Sequence, residues 1–171
     1  MPSSPTGQSP RPPTGAVLDR IDRKILHELM RDTTLPVAQL AERVGLSQTP
    51  CWKRVQKLEA AGVITGRVAI VDPGRIGLGL SVFVEIEAAD HTPEWRDRFA
   101  THVAAAPEVV EVHRMAGDVD YLLKVVVPDM ASYDEFYLRL TRKLHCRNVT
   151  SKFSMERMKD TTVLPIDTTT A

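Results

Sequence analysis

Two helical segments separated by only two residues constrain this chain more than any other feature. They lie in LAERVGLSQTPCWKRVQKLEAAGVI, residues 40–64. Gly45 suits the positive φ of a helix C′ position, and Ser47 is a good N-cap for a helix that starts at Gln48. Ala41, a small residue one turn before Gly45, lets the two helices approach closely. The spacing therefore predicts a helix-turn-helix.

The second of these helices is predicted over 48–61, because Gly62 is a good terminator. Pro50 is tolerated in its first turn, where the missing N–H would have no intrahelical partner. Cys51, Val55 and Leu58 recur at i, i+4 and i+7 and form the predicted buried stripe. The opposite side is predicted to face solvent and carries Gln48, Thr49, Trp52, Lys53, Gln56 and Lys57.

This outward side has the chemistry of a nucleic-acid interface. An α-helix fits the major groove of duplex DNA, where its side chains reach base edges and flanking phosphates. Arg54 and Lys57 are expected at phosphates and the other residues in the groove, so the predicted DNA-binding set is Ser47, Gln48, Thr49, Trp52, Lys53, Arg54, Gln56 and Lys57. The alternative is a solvated basic helix in a domain that binds protein. Trp52 favours DNA, because a large exposed aromatic ring is useful against sugars or thymine methyl groups.

Charge is balanced over the whole chain but not along it. Residues 17–67 hold nine Lys and Arg against six Asp and Glu, whereas 68–171 hold twelve against sixteen. The N-terminal half therefore suits an anionic partner. Cys51 and Cys146 show no metal or redox spacing. With no signal peptide and no long apolar run, a cytoplasmic protein without membrane contact is expected.

The N-terminal part of the chain divides into three segments. Residues 1–16 are rich in proline and poor in apolar bulk, which predicts a disordered tail. Helical periodicity begins at LDRIDRKILHELM, where Asp19 can cap the helix, so the helix-turn-helix domain is predicted over 17–64. The β-branched stretch VITGRVAIVDP is typical of a wing or a linker strand, and the linker is placed at 65–76.

From Gly77 the pattern changes to β-α-β-β-α-β. This order predicts an α+β chain in which the winged helix-turn-helix is followed by a ferredoxin-like βαββαβ domain over 77–166, then a short tail over 167–171. Such a domain has one antiparallel sheet with two helices on one face. The other face is expected to carry apolar residues such as Phe83 or Phe153, and therefore to be covered by another subunit.

The segment MAGDVDYLL, residues 115–123, is the second candidate site. Gly117 can free backbone N–H groups for a carboxylate, while Asp118 and Asp120 can accept from an ammonium group. A zwitterionic amino acid needs both. Taken from these residues alone, an ordinary hairpin turn is the stronger interpretation, because glycine and aspartate are common in turns.

With these blocks in order, the chain resembles the Lrp/AsnC family of transcriptional regulators over about 17–166. The resemblance rests on LDRIDRKIL, LAERVGLSQTPCWKRVQKLEAAGVI, VDPGRIGLGL, GDVDYLLKVVVPDM and KDTTVLPI. It implies a DNA-binding domain joined to an effector domain, and a small amino acid bound at the contact between dimers, beside the GDVDYLL turn. It therefore favours the binding-site interpretation of that turn over the plain hairpin.

Site residues carried over from the resemblance form one set. Asp120 would hold the ammonium group of the effector, and the backbone at Gly117 and Asp118 would hold its carboxylate. Arg114 departs from the leucine-sensing pattern, which has an apolar residue there. The blocks TPCWKR, EWRDRF, RMAGDVDYL, YDEFY and KFSMERMKDTTVLPI resemble the cysteine-responsive branch, so L-cysteine is the expected effector. The full set is Arg114, Gly117, Asp118, Asp120, Met130, Phe153 and Met155, the last three lining the pocket or its interface.

The resemblance also implies assembly, with dimers forming through the linker strand and the free sheet faces and then joining into tetramers or octamers. No catalytic residue, metal ligand or cofactor is predicted, and a nucleoid-associated location in the cytoplasm is expected. One alternative is a regulator that senses leucine or another amino acid, and two others stay open. One is a ferredoxin-like enzyme that uses Asp118, Asp120 and Arg114 as an acid/base set. The other is a subunit that only assembles with other regulators.

Overall fold

The computed structural model describes residues 17–169. The tail predicted over 1–16, and the last two residues of the tail predicted over 167–171, lie outside this range. The described chain forms two compact units. We call 17–69 together with 159–169 the helical unit, and 70–158 the sandwich unit.

The helical unit is built on α1 (Arg20–Arg31), α2 (Val37–Val44) and α3 (Gln48–Ala60). Asp19 and Asp22 form a capping box at the start of α1. Gly45 ends α2 with φ of 77°, as the sequence predicted. The predicted stripe of α3 is buried in a core whose other members come from α1 and α2 and include Ile25, Leu29, Leu40 and Val44. The helix-turn-helix prediction is confirmed.

The segment after α3 differs from the prediction. Residues 63–72 form no strand in the described chain, and only a 3₁₀ turn at Gly74–Ile76 precedes the sheet. A strand exists only by pairing with another strand, and nothing in 17–169 pairs with this segment. Val63 and Ile64 pack against the helical core, but the later β-branched residues are left in solvent, with Val68 82% and Ile70 74% exposed.

The sandwich unit has the predicted order of elements. These are β1 (Leu80–Ala88), α4 (Pro93–Ala104), β2 (Val109–Arg114), β3 (Tyr121–Val127), α5 (Met130–Lys143) and β4 (Cys146–Phe153). The strands form one antiparallel sheet in the order β2-β3-β1-β4. One face of the sheet packs against α4 and α5, burying Val84, Leu123, Trp95, Phe99 and Phe136 among others. The ferredoxin-like prediction is confirmed.

The face of the sheet turned away from α4 and α5 is more polar than predicted. Phe83 lies there and is 37% exposed, but cross-strand ion pairs dominate: Lys124 Nζ lies 2.7 Å from Glu111 Oε1, and Lys152 pairs with Glu85. We call this surface the open sheet face.

The prediction that Phe153 lies on the open sheet face is wrong. Phe153 pairs with buried Val82, which places it on the helix side. There its ring meets that of Tyr133 edge-on, with centroids 5.2 Å apart. A shift of one residue in strand register moves a side chain to the opposite face, and the sequence did not fix the register of β4.

The C-terminal segment, residues 159–169, belongs to the helical unit, whereas the sequence placed 159–166 in the ferredoxin-like domain. Ile166 packs against the core of the helical unit. Thr162 Oγ1 donates to the backbone carbonyl of Met30 at 2.9 Å, and the Leu164 N–H donates to Met30 Sδ at 3.4 Å. Carbonyls in the last turn of a helix lack an intrahelical partner. The C-terminal segment supplies one for α1.

Candidate nucleic-acid interface and effector site

The outward side of α3 is exposed as the sequence predicted. Trp52 is 42% exposed despite its large ring. The polar residues that share this side or precede it are also exposed: Ser47, Gln48, Thr49, Lys53, Gln56 and Lys57. Ser47 occupies the N-cap position, although its side chain makes no capping hydrogen bond. The hydroxyl is therefore not committed to the helix end.

Arg54 differs from the other basic residues of α3. Its Nη1 lies 2.6 Å from Asp19 Oδ2 and 2.7 Å from Asp22 Oδ1. The Asp22 side chain is only 2% exposed, so the guanidinium neutralises a carboxylate that has almost no access to water. Arg54 thus ties α3 to the first turn of α1, a role that sequence reasoning missed. The available signal was the Asp19–Asp22 spacing of a capping box.

The same contacts affect the acid at the start of α1. The Asp22 N–H donates to the Asp19 carboxylate at 2.8 Å, and this hydrogen bond lowers the pKa of Asp19, assisted by Arg54. The Arg54 guanidinium donates to both the Asp19 and the Asp22 carboxylates, and these hydrogen bonds raise the pKa of Arg54 in turn. Asp19 and Arg54 therefore stabilise each other in their charged forms.

In the sandwich unit, residues 115–120 form the turn between β2 and β3. Gly117 has φ of 127°, a backbone conformation that residues other than glycine rarely adopt. Asp120 is fixed on both sides: its N–H donates to the Ile86 carbonyl at 3.0 Å, and its carbonyl accepts from the Met115 N–H at 2.8 Å. The position of the Asp120 carboxylate is therefore set by the sheet.

The two oxygens of the Asp120 carboxylate have different surroundings. Oδ2 accepts from the Ala88 N–H at 2.8 Å. Oδ1 lies 3.7 Å from Nδ1 of His91, in the loop between β1 and α4. That distance is too long for a direct hydrogen bond. With its side chain 30% exposed, Asp120 can still accept a hydrogen bond from a ligand through Oδ1.

The predicted effector residues form two groups within the chain. Arg114, Gly117, Asp118 and Asp120 lie at one end of the sheet, where β2 ends and β3 begins. Met130, Phe153 and Met155 lie toward the opposite end, since Phe153 and Val125 both pair with Val82. Five residues of strand separate Asp120 from Val125, which corresponds to about 17 Å. One protomer therefore does not bring the whole set together.

No group of three or more His, Cys, Asp or Glu side chains in residues 17–169 is placed to hold a metal ion. No helix in this range has the length and apolar character needed to cross a membrane.

Comparison with protein-family models gives two matches along the chain. Residues 18–59 match the AsnC-type helix-turn-helix domain, and residues 81–164 match the Lrp/AsnC ligand binding domain. The chain belongs to the Lrp/AsnC family. Its relatives in this family include DNA-binding transcriptional regulators, and the chain is a transcriptional regulator of this family.

Three similar proteins support the assignment to the Lrp/AsnC family. The DNA-binding transcriptional activator DecR of Escherichia coli K12 is 51% identical over 152 residues, which cover 88% of this chain and all of DecR. The crystal structure of an AsnC family transcriptional regulator from Agrobacterium tumefaciens has a TM-score of 0.83 and 56% identity, covering 86% of this chain and 96% of that one. A transcriptional regulator from Neisseria meningitidis in complex with L-Met has a TM-score of 0.84 and 34% identity, covering 87% and 97%.

Proposed function

We propose that the chain binds duplex DNA through the exposed side of α3 and regulates transcription when a small amino acid binds beside Asp120. The observation that carries the DNA interface is the division of α3 into two sides. Cys51, Val55 and Leu58 are buried, while Trp52 and the polar side chains remain in solvent. A dimer would offer two such helices, so we expect operators with imperfect two-fold symmetry and half-sites about 34 Å apart.

Within this interface we assign different roles to the basic residues. Lys53 and Lys57 are exposed and are proposed as DNA contacts. Arg54 is proposed to position α3 through Asp19 and Asp22, because its guanidinium already lies against both carboxylates. A phosphate contact by Arg54 would have to compete with them.

The salt dependence of DNA binding tests this interface. Each lost phosphate contact lowers the slope of log K against log salt by about 0.9. We expect Lys57→Gln to reduce the slope by that amount per site, in gel-shift titrations on the promoter next to the gene. Lys143→Gln, at an exposed position of α5, is the matched control and should leave the slope unchanged. An unchanged slope for Lys57→Gln would contradict the proposed role of Lys57, and no shift at low salt would contradict DNA binding by α3.

For the effector we propose an amino acid whose ammonium group binds Oδ1 of Asp120 and whose carboxylate meets the backbone of the Gly117–Asp118 turn. L-cysteine is the proposed identity, on the resemblance of five sequence blocks to the cysteine-responsive branch. Arg114 supports a polar or small side chain over leucine, because an exposed guanidinium at the end of β2 is a poor neighbour for a branched apolar group.

We further propose that the complete site forms between protomers. Met130, Phe153 and Met155 are 56%, 41% and 97% exposed, although all three are large and apolar. They lie too far from Asp120 to contact the same amino acid within one protomer. Supplied by a neighbouring protomer, they would close the pocket. Effector binding would then change how dimers associate and hence DNA affinity, with a coupling of about 5- to 150-fold.

Thermal shift against the twenty amino acids tests the effector site. A ligand that binds only the folded protein raises the unfolding midpoint as its concentration exceeds its Kd. We expect L-cysteine, kept reduced, to give the largest rise, and Asp120→Asn to abolish it while basal DNA binding persists. A larger rise with leucine or methionine would reject cysteine as the effector. A full rise in the Asp120→Asn variant would reject the site.

The chain is proposed to act without catalysis and to work in the cytoplasm, on the nucleoid. The enzyme alternative would need Asp118, Asp120 and Arg114 as an acid/base set, yet Asp120 Oδ2 is engaged by the Ala88 N–H. Turnover of amino-acid substrates by the purified protein would favour the enzyme. Failure of the purified protein to bind DNA alone would favour a subunit that acts only with other regulators.

A further inference from the structure

We propose that His91 is a further residue of the effector site, and that its protonated imidazole competes with the effector's ammonium group for Oδ1 of Asp120. The inference rests on the proposed effector site and adds a residue and a pH dependence to it. Its starting point is the one carboxylate oxygen of Asp120 that a ligand can use.

Asp120 cannot turn to serve two cations at once. Its backbone is held by Ile86 and Met115, and its Oδ2 accepts from the Ala88 N–H at 2.8 Å. Oδ1 is therefore the oxygen that no backbone N–H of residues 17–169 engages, and an approaching cation is expected there. His91 Nδ1 is already 3.7 Å from this atom. The imidazole thus lies beside the position that an ammonium group would take.

The loop that carries His91 has a defined conformation. The Asp90 carboxylate accepts from both the N–H and the hydroxyl of Thr92, at 3.0 and 2.6 Å. Thr92 in turn caps α4 by accepting from the Trp95 N–H at 3.2 Å. Asp90 and Thr92, on either side of His91, are therefore held to each other, and Thr92 is held to the start of α4. The His91 side chain itself is 72% exposed and can turn toward or away from Asp120.

The charged groups around the imidazole decide the sign of the effect. Two carboxylates face it: Asp120 from the turn before β3, and Asp90 from its own loop. The positive charge of Arg98 on α4 helps to lower the pKa of Asp90. Histidine ordinarily changes charge between pH 5 and 8. As the imidazolium, His91 pairs with Oδ1 and must be displaced; as the neutral imidazole, it leaves Oδ1 to the effector, and its proton has gone to solvent.

Effector binding is therefore expected to weaken as the pH falls from 8 to 6. Exposed pairs of this kind are worth little, so the expected loss of affinity is about threefold. Binding near the middle of this range should also release part of a proton. Isothermal titration calorimetry in two buffers of different ionisation enthalpy measures both quantities. The probes are L-serine and L-methionine, whose side chains do not titrate in this range, and reduced L-cysteine at pH 6.

Two substitutions should bracket the wild-type behaviour. His91→Ala removes the competitor, so it should bind the probes equally at pH 6 and 8, with no release of a proton. His91→Lys carries a permanent cation, so it should bind them about threefold more weakly than wild type at pH 8 and show no pH dependence. His27→Ala, on α1, is the control and should keep the wild-type pH profile.

The outcomes separate this proposal from the one it rests on. If Asp120→Asn abolishes binding but His91→Ala keeps the wild-type pH dependence, the effector site stands and the role of His91 is overturned. If Asp120→Asn binds the probes as wild type does, or no probe binds the wild type, the effector site itself is overturned and His91 with it.

Discussion

Asp22 is an acidic side chain that the helical unit buries almost completely. It is 2% exposed, and its Oδ1 lies 2.7 Å from Arg54 Nη1. A buried carboxylate is tolerated only where a partner and hydrogen bonds replace its water. The orientation of α3 therefore depends on this ion pair with α1, while Lys53 and Lys57 remain exposed on the other side of the helix.

Removal of Arg54 should therefore destabilise the helical unit. We expect Arg54→Met to lower the free energy of unfolding by about 3 kcal/mol, because the buried Asp22 carboxylate would lose its partner. Urea denaturation followed by circular dichroism measures this change. Lys53→Met, on the exposed side of the same helix, should change it by less than about 0.5 kcal/mol.

A double-mutant cycle with Asp22→Asn isolates the pair. The loss in the double variant should be clearly smaller than the sum of the two single losses, since the second substitution removes a charge that the first left unpaired. Strict additivity would show that Arg54 and Asp22 do not act together.

The sequence predicted the exposed side of α3 residue by residue because helical periodicity alone decides which side chains share a side. It did not predict that Arg54 pairs with Asp19 and Asp22, because these partners lie 35 and 32 residues earlier in the chain. For the same reason the sequence alone does not indicate that His91 lies near Asp120. Its position beside Asp120 depends on β1 and β3 pairing, with Ile86 opposite Tyr121.

Among the secondary-structure elements, the helices and strands of the sandwich unit follow their local sequence patterns closely. In the helical unit, α2 and α3 end just before Gly45 and Gly62, both of which have positive φ. The predictions failed where an element depends on a partner. Residues 65–76 have the composition of a strand but no strand beside them. The face on which Phe153 lies depends on the register of β4 against β1, which the alternation of residues within β4 does not determine. The C-terminal segment has no periodic pattern, so only its contacts assign it to the helical unit.

The contacts of the C-terminal segment predict that a substitution far from α3 in sequence will change the stability of the helical unit. Ile166 is partly buried against the helical core, and placing a carboxylate there removes apolar contact and desolvates a charge. We expect Ile166→Asp to lower the free energy of unfolding of the helical unit by about 2 kcal/mol.

Hydrogen exchange of α1 amides measures this effect within the helical unit. Leu164→Asp is the control, because that side chain is 68% exposed two residues away. Equal loss of protection in both variants would mean that Ile166 contributes no packing of its own.

For the molecule as a whole, we expect self-association to use the open sheet face and the linker (65–76). The open sheet face combines Phe83 with lysine–glutamate pairs, so a second copy related by a two-fold axis could match charge to charge. Beside the sheet in sequence, the linker leaves Val68 and Ile70 in water with unpaired backbone. An extended apolar segment of this kind is ready to pair with another chain.

We expect Phe83→Glu to shift the protein toward smaller species in analytical ultracentrifugation, because it adds a charge to a face that already carries glutamates. Leu138→Glu is the control: this leucine is 40% exposed but lies on α5. A distribution of species unchanged by Phe83→Glu would show that protomers associate through some other surface.

The course of the chain has a practical consequence for anyone isolating its DNA-binding part. A fragment cut after residue 69 would keep α1, α2 and α3 but would strip away Thr162, which covers the Met30 carbonyl, and Ile166, which fills the core. A fragment meant to keep these contacts must retain residues 159–169 as well. Two separate stretches of the chain, 17–69 and 159–169, build the helical unit, and the sandwich unit is the insert between them.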